Sequence, residues 1–140
     1  MRRKILMFTL TLMVGIALGA ISYHVLNAQQ TPPTKAKGQT AKTLASLDLG
    51  PEIPGLQGRY LRARVITYEP TGHGAVHSHK DRPAIAYILQ GTVSSCRPDG
   101  TCKEVHEGQA NAEGKDTVHW SENRGTRPLV FLVVDISNEP

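Results

Sequence analysis

Residues 60–106 read YLRARVITYEPTGHGAVHSHKDRPAIAYILQGTVSSCRPDGTCKEVH. From Tyr60 the pattern has period two: Leu61, Ala63, Val65 and Thr67 alternate with Arg62, Arg64, Ile66 and Tyr68, giving one core-facing side and one wetter side. Further strands are expected over residues 75–79, 84–90, 92–97 and 101–106, and beyond the quoted stretch over 117–121 and 129–137. Turn signals separate them, at Pro70-Thr71-Gly72, Pro98-Asp99-Gly100 and Asn123-Arg124-Gly125. Turns every ~8 to 12 residues, with no long helical period, predict an all-β chain folded as an antiparallel sandwich or barrel. Residues 44–49 are readable either as a short helix or as an edge strand, and no internal repeat is visible.

Upstream, the chain changes character. Arg2, Arg3 and Lys4 precede a stretch from Ile5 to Ile21 that carries no charge. This is the pattern of an export signal. An uncleaved membrane anchor is the competing reading, since Tyr23 to Leu26 could extend the span towards the ~20 residues a bilayer requires. Either way the remainder is expected outside the cytoplasm, in the periplasm or an equivalent extracytoplasmic space, touching the membrane only if the leader stays attached. Residues 29–42, QQTPPTKAKGQTAK, hold no large apolar side chain and are expected to be a flexible tether. The organisation expected is therefore 1–28 leader, 29–42 linker and 43–140 folded domain.

The 140 residues suffice for one small domain and exclude a multidomain enzyme. Of the 16 basic residues, Arg2, Arg3 and Lys4 belong to the leader, which leaves 13 against 12 acidic ones. So small an excess is no argument for nucleic acid as a partner. About a third of the residues beyond Ala28 are apolar, which favours a compact sheet with short turns. The two cysteines, Cys96 and Cys102, flank the Pro98 to Gly100 turn and would face one another across a hairpin. In an oxidising compartment that placement predicts a disulfide; the five-residue spacing does not match a C-x-x-C redox motif.

Six histidines stand at positions 24, 73, 77, 79, 106 and 119. In His77-Ser78-His79, a spacing of two on a strand puts both imidazoles on one face. Imidazole is the commonest nitrogen ligand for Zn, Fe, Mn, Cu and Ni, and His119, in Thr117-Val118-His119-Trp120, is the natural third ligand. A solvent-exposed pair on a strand would give the same His-x-His spacing. The surroundings add to it. Gly72-x4-His77-x-His79, an apolar strand ending at Gly91, then Gly108 and His119-x3-Asn123 resemble the two motifs of the cupin superfamily, over about Leu61 to Val134. The resemblance implies a small antiparallel barrel or jelly roll, often paired as a homodimer. It further implies one divalent transition metal held by His77, His79 and His119, with Gly72, Gly91, Gly108 and Asn123 as framework.

Two departures from that pattern matter. Where the family carries a Glu ligand this chain has Ala84, and the family's Pro-x-Gly turn is Gly114-Lys115-Asp116. Three neutral imidazoles leave a divalent ion its full formal charge and open positions for water or an anionic substrate. Asp81 and His73 share the phase of His77 and His79 and are minor alternative ligands; a solvated loop position is the simpler expectation for each. Tyr68, Tyr87 and Trp120 could line a barrel, Arg82 could orient an anion, and His106 is expected at the surface. Glu69, Asp81 and Glu113 all lie near turns and none stands out as a general base. The function expected is metal-dependent chemistry on a small molecule, of dioxygenase, isomerase or decarboxylase type. The alternative is a non-enzymatic cupin module that binds a small ligand or the metal itself.

Overall fold

The computed structural model describes residues 31–140, and the leader expected over 1–28 lies outside the described residues. Nine strands follow in chain order: β1 (Lys37–Asp48), β2 (Tyr60–His73), β3 (His77–Ser78), β4 (Ala84–Gln90), β5 (Thr92–Cys96), β6 (Cys102–His106), β7 (Ala110–Glu113), β8 (Val118–Glu122) and β9 (Leu129–Ser137). Among the described residues no helix is long and apolar enough to cross a membrane.

Hydrogen bonding links the strands in the order β6-β5-β8-β2-β9-β4-β7, with β1 added to β2 and β3 added to β8. All pairings are antiparallel, and the sheet curls into a nearly closed barrel whose two free ends are β6 and β7. The inward-facing rows are the alternating positions: Ala84, Ala86 and Ile88 on β4, Leu129, Phe131 and Val133 on β9, and Ile66 and Tyr68 on β2. Val93 and Val105 close the same core from β5 and β6. Tyr68 packs edge-on against Phe131, with ring centroids 5.3 Å apart, so it is a core aromatic.

The core-facing side of β2 proves to be the one that carries the arginines. Arg62 is buried whereas Leu61 is 41% exposed. The reason is Asp135 of β9, fully buried on the same inner face, which accepts from Arg62 Nε and Nη2 at 3.2 Å each and from Arg64 Nη2 at 2.9 Å. Burial of these charges is tolerable only because they are paired and hydrogen-bonded.

The flexible tether expected over residues 29–42 is corrected in its second half. Lys37 to Lys42 form the first part of β1, which runs to Asp48 and pairs with β2 from Lys37↔His73 to Asp48↔Tyr60. Every residue of β1 is exposed, so this strand is held by its backbone ladder to β2 and needs no apolar row of its own. Residues 44–48 accordingly resolve as edge strand, and Leu49 just beyond it is buried. The folded domain begins upstream of Thr43.

Candidate metal centre

Each of the three expected ligands is delivered by a different local constraint. His77 opens the two-residue strand β3, which pairs with β8 in the register His77↔His119 and Ser78↔Val118. His79 follows directly, its amide donating to Thr117 O at 2.9 Å. The chain then turns at Asp81, whose φ is 59°, before Pro83 leads into β4. Below β8, Asn123 works as an anchor. Its Nδ2 donates to Tyr68 O and Glu69 O at 3.1 Å each and to Arg127 O at 2.8 Å, and its Oδ1 accepts from Gly125 N at 2.9 Å. Gly72 lies beside it in a place where a Cβ would stand 2.8 Å from the carbonyl oxygens of Glu69 and Gly38.

The imidazoles meet through their Nε2 atoms. His77 and His79 are 3.1 Å apart and His79 and His119 are 3.0 Å apart, with His79 and His119 buried. The opposite ring nitrogens are engaged elsewhere. Nδ1 of His77 faces Ala75 O at 2.9 Å, Nδ1 of His79 faces Arg82 O at 3.0 Å, and Nδ1 of His119 faces Ser95 Oγ at 2.7 Å. A carbonyl oxygen only accepts, so the hydrogen of His77 and of His79 sits on Nδ1 and each Nε2 presents a bare lone pair. Two lone pairs 3.1 Å apart repel unless a cation lies between them. Nitrogen donors ~2.1 Å from a shared ion lie about 3.0 Å apart at right angles and about 3.4 Å apart in a tetrahedron, so the donor set fits a single metal ion.

Burial acts on the charges of the cluster. It holds all three imidazoles below their ordinary range, His79 at about 4 and His119 at about 3, with neighbouring imidazoles adding to the effect on those two and Arg82 and Arg64 adding to it on His77. Neutral rings are the ligating form. Glu113, which did not stand out in the sequence, ends β7 and is buried, with Oε2 at 3.2 Å from His79 Nε2 and Oε1 at 3.5 Å from His119 Nε2. Burial pushes its carboxyl up to about 7.

The other candidates fall elsewhere. Asp81 is exposed in its turn, His73 ends β2 with Nδ1 facing Gly74 O at 3.2 Å, and His106 lies at the surface against Thr92 Oγ1. Tyr87 is 42% exposed on the outside of the barrel, whereas Trp120 is fully buried. Arg82 stands with Nε 3.8 Å from Asp135 Oδ2, next to the cluster. Cys96 and Cys102 are joined as a disulfide, with Sγ atoms 2.08 Å apart, clipping the β5–β6 hairpin as expected. Ser95, Arg97 and Lys103 carried no signal beyond their polar character. All three line a cavity of about 160 Å³ that reaches His119 between β6 and β7, where the barrel lacks a hydrogen-bonded closure. The phase of Ser95, two residues from core Val93, is the only trace of its inward position.

Comparison with solved structures finds the same fold in proteins of several described activities. The polyketide cyclase RemF from Streptomyces resistomycificus matches with 24% identity over 75% of this chain and 68% of its own, with a TM-score of 0.57. A protein from Thermotoga maritima described as a predicted oxalate decarboxylase matches with 22% identity over 76% and 91%, with a TM-score of 0.58. A cupin-superfamily sugar phosphate isomerase from Silicibacter pomeroyi matches with 20% identity over 71% and 60%, with a TM-score of 0.55. At such identities the likeness speaks for the fold alone. No curated protein matches. The family model described as Cupin domain matches residues 64–135, just over half of the 140-residue chain and the span that carries the three clustered histidines. With the barrel and the histidine geometry in agreement with that match, the chain belongs to the cupin domain family.

Proposed function

We propose that this cupin is an exported protein that holds one divalent transition metal, of the Zn, Fe, Mn, Cu or Ni class, on His77, His79 and His119, and acts on a small anionic molecule. The observation that carries the reading is the convergence of three imidazoles whose Nδ1 atoms are engaged by Ala75 O, Arg82 O and Ser95 Oγ. A bound ion would supply Lewis-acid or oxygen-dependent chemistry. The chain's own residues do the rest. The backbone carbonyls fix the tautomer of His77 and His79, and the barrel wall keeps bulk water from the buried faces of His79 and His119.

Charge supports an anionic ligand. Arg97 and Lys103 flank the cavity beside His119, and both can engage a carboxylate or phosphate. Elsewhere on the inner face, Arg62, Arg64 and Arg82 surround the single carboxylate of Asp135, and the Nε atoms of Arg64 and Arg82 are buried without a hydrogen-bond acceptor. The cavity, about 160 Å³, is smaller than the roughly 300–1,000 Å³ typical of drug-sized ligands, which fits a small molecule. Relatives described as a cyclase, an isomerase and a predicted decarboxylase share this fold, so no one reaction is favoured over another. Export is supported by the basic and apolar leader pattern and by the Cys96–Cys102 disulfide.

Metal analysis of the purified protein tests the metal, with one equivalent expected. Replacing His77, His79 or His119 by Ala should each abolish most of it, while His106→Ala should not. A metal content indifferent to the three replacements refutes the reading. For the ligand, Co(II)-loaded protein titrated with azide, oxalate and inorganic phosphate should change its visible absorption, and Arg97→Ala with Lys103→Ala should weaken that response; equal responses refute the assignment of the mouth.

A further inference from the structure

Glu113 is a buried carboxyl whose two oxygens face the ring nitrogens of His79 and His119. Its Oε2 lies 3.2 Å from Nε2 of His79, a nitrogen whose hydrogen is placed on the other side of the ring by Arg82 O. Its Oε1 lies 3.5 Å from Nε2 of His119 and accepts from Asn111 Nδ2 at 3.2 Å. With no ion present a protonated Glu113 can donate to the Nε2 lone pair of His79, whereas an ionised one faces it as acceptor to acceptor, which is repulsive inside a protein. A positive charge held between them turns the contact into attraction. The three imidazoles form one compact cluster, with contacts of 3.1 and 3.0 Å, and Glu113 borders it on the side of His79 and His119, at 3.2 and 3.5 Å, spacings that neighbouring ligands of one ion can have.

We infer that Glu113 is the carboxylate ligand of this centre, supplied by β7 across the strand pair from Ala84. In the β4–β7 ladder Ala84 and Glu113 are direct Cα partners, and both side chains are buried on the inner face. Ala84 is too short to reach an ion held by the histidines. Asn111, two residues earlier on the same face of β7, orients the carboxylate. The inference rests on the reading that the histidines hold a metal. It alters what the centre offers: a bound divalent ion keeps a formal charge of +1 instead of +2. It also ties the ion to β7, one of the two unclosed strands of the barrel and a wall of the cavity, through Asn111 and Ala112. Metal binding therefore rigidifies the mouth as well as the floor of the site.

The test is calorimetric titration of metal-free protein with Co(II) and Zn(II) for the wild type, Glu113→Gln, Glu113→Ala, and the double variant Glu113→Ala with Ala84→Glu. Thermal unfolding of each metal-free variant shows which are folded. Glu113→Gln keeps the shape and can donate to His79 Nε2, so a purely structural carboxyl is satisfied by it. Loss of an outer-shell partner alone costs about 10–100-fold in metal affinity, and Glu113→Gln is expected to lose at least about 100-fold, with a changed Co(II) absorption band. The double variant, which returns the carboxylate to the facing position, should recover most of what Glu113→Ala loses. Amide hydrogen exchange gives a second readout: metal should protect residues 110–113 in the wild type and not in Glu113→Gln. Wild-type protein that binds no metal overturns the metal reading and this inference with it. Wild-type binding matched by Glu113→Gln, or a double variant as weak as Glu113→Ala, overturns the role of Glu113 alone.

Discussion

Of the three contacts that orient the histidines, two are made by main-chain carbonyls and only one by a side chain, Ser95 Oγ at 2.7 Å from Nδ1 of buried His119. Ser95→Ala therefore removes a ring-orienting partner without touching a ligand. In the metal-free variant the His119 imidazole can move its hydrogen to Nε2. With Nε2 ligating, the hydrogen must stay on Nδ1, now buried with no acceptor. The cost thus falls on the bound state. An unsatisfied buried donor costs about 1–3 kcal/mol, which at about 1.4 kcal/mol per tenfold is roughly 5–150-fold in affinity. We expect Ser95→Ala to raise the dissociation constant for Zn(II) or Co(II) by about 10–100-fold, measured by calorimetry against a competing chelator. Ser95→Thr keeps the hydroxyl, and its methyl group has the cavity lined by Ser95 to enter, so it should stay close to wild type. A Ser95→Ala affinity within twofold of wild type refutes the argument, and so does a Ser95→Thr loss as large as that of Ala.

Further outcomes follow from the fold around the centre. Cys96 and Cys102 are six positions apart, and closing so short a loop is worth about 2 kcal/mol. Reduction should lower the midpoint of thermal unfolding by roughly 10 °C, and unfolded, unreduced protein should show no free thiol; two titratable thiols contradict the bond. Asn123→Asp should destabilise by more than the roughly 2–3 kcal/mol expected for Asn123→Ala, because the carboxylate would face the carbonyls of Tyr68, Glu69 and Arg127. Denaturant unfolding of the two variants decides the order. For metal-free protein the pH dependence has a definite sign. His79 and His119, at about 4 and about 3, sit below their unfolded value near 6.5, so their contribution is complete above that pH and is lost as pH falls through it. Glu113, at about 7 against 4.5 unfolded, opposes this with a contribution present at low pH and lost as pH rises towards 7. With three depressed imidazoles against one raised carboxyl, stability falls on acidification between ~6.5 and ~4.5. Stability that rises across this window on acidification refutes the assignment.

Much of this protein was legible along the chain because the relevant signals are local. Apolar runs bounded by turn signals located β4 to the residue, Ala84–Gln90, and β9 likewise, Leu129–Ser137. The two-residue spacing of His77 and His79 placed both rings on one face, and the resemblance to the cupin motifs added His119, Gly72 and Asn123. The edge strands stayed hidden. Lys37 to Lys42 and Ala110 to Glu113 are bound through backbone hydrogen bonds, which any side chain can accompany, so their composition carries no hydrophobic period. Which side of β2 faces inward was decided by a partner more than seventy positions away, because Asp135 is what makes burial of Arg62 tolerable. Glu113 is the sharpest instance. Its residue type was visible, but its place against His79 and His119 exists only through the register Ala84↔Glu113, and strand register is set by the packing of the whole barrel, not by the four residues of β7.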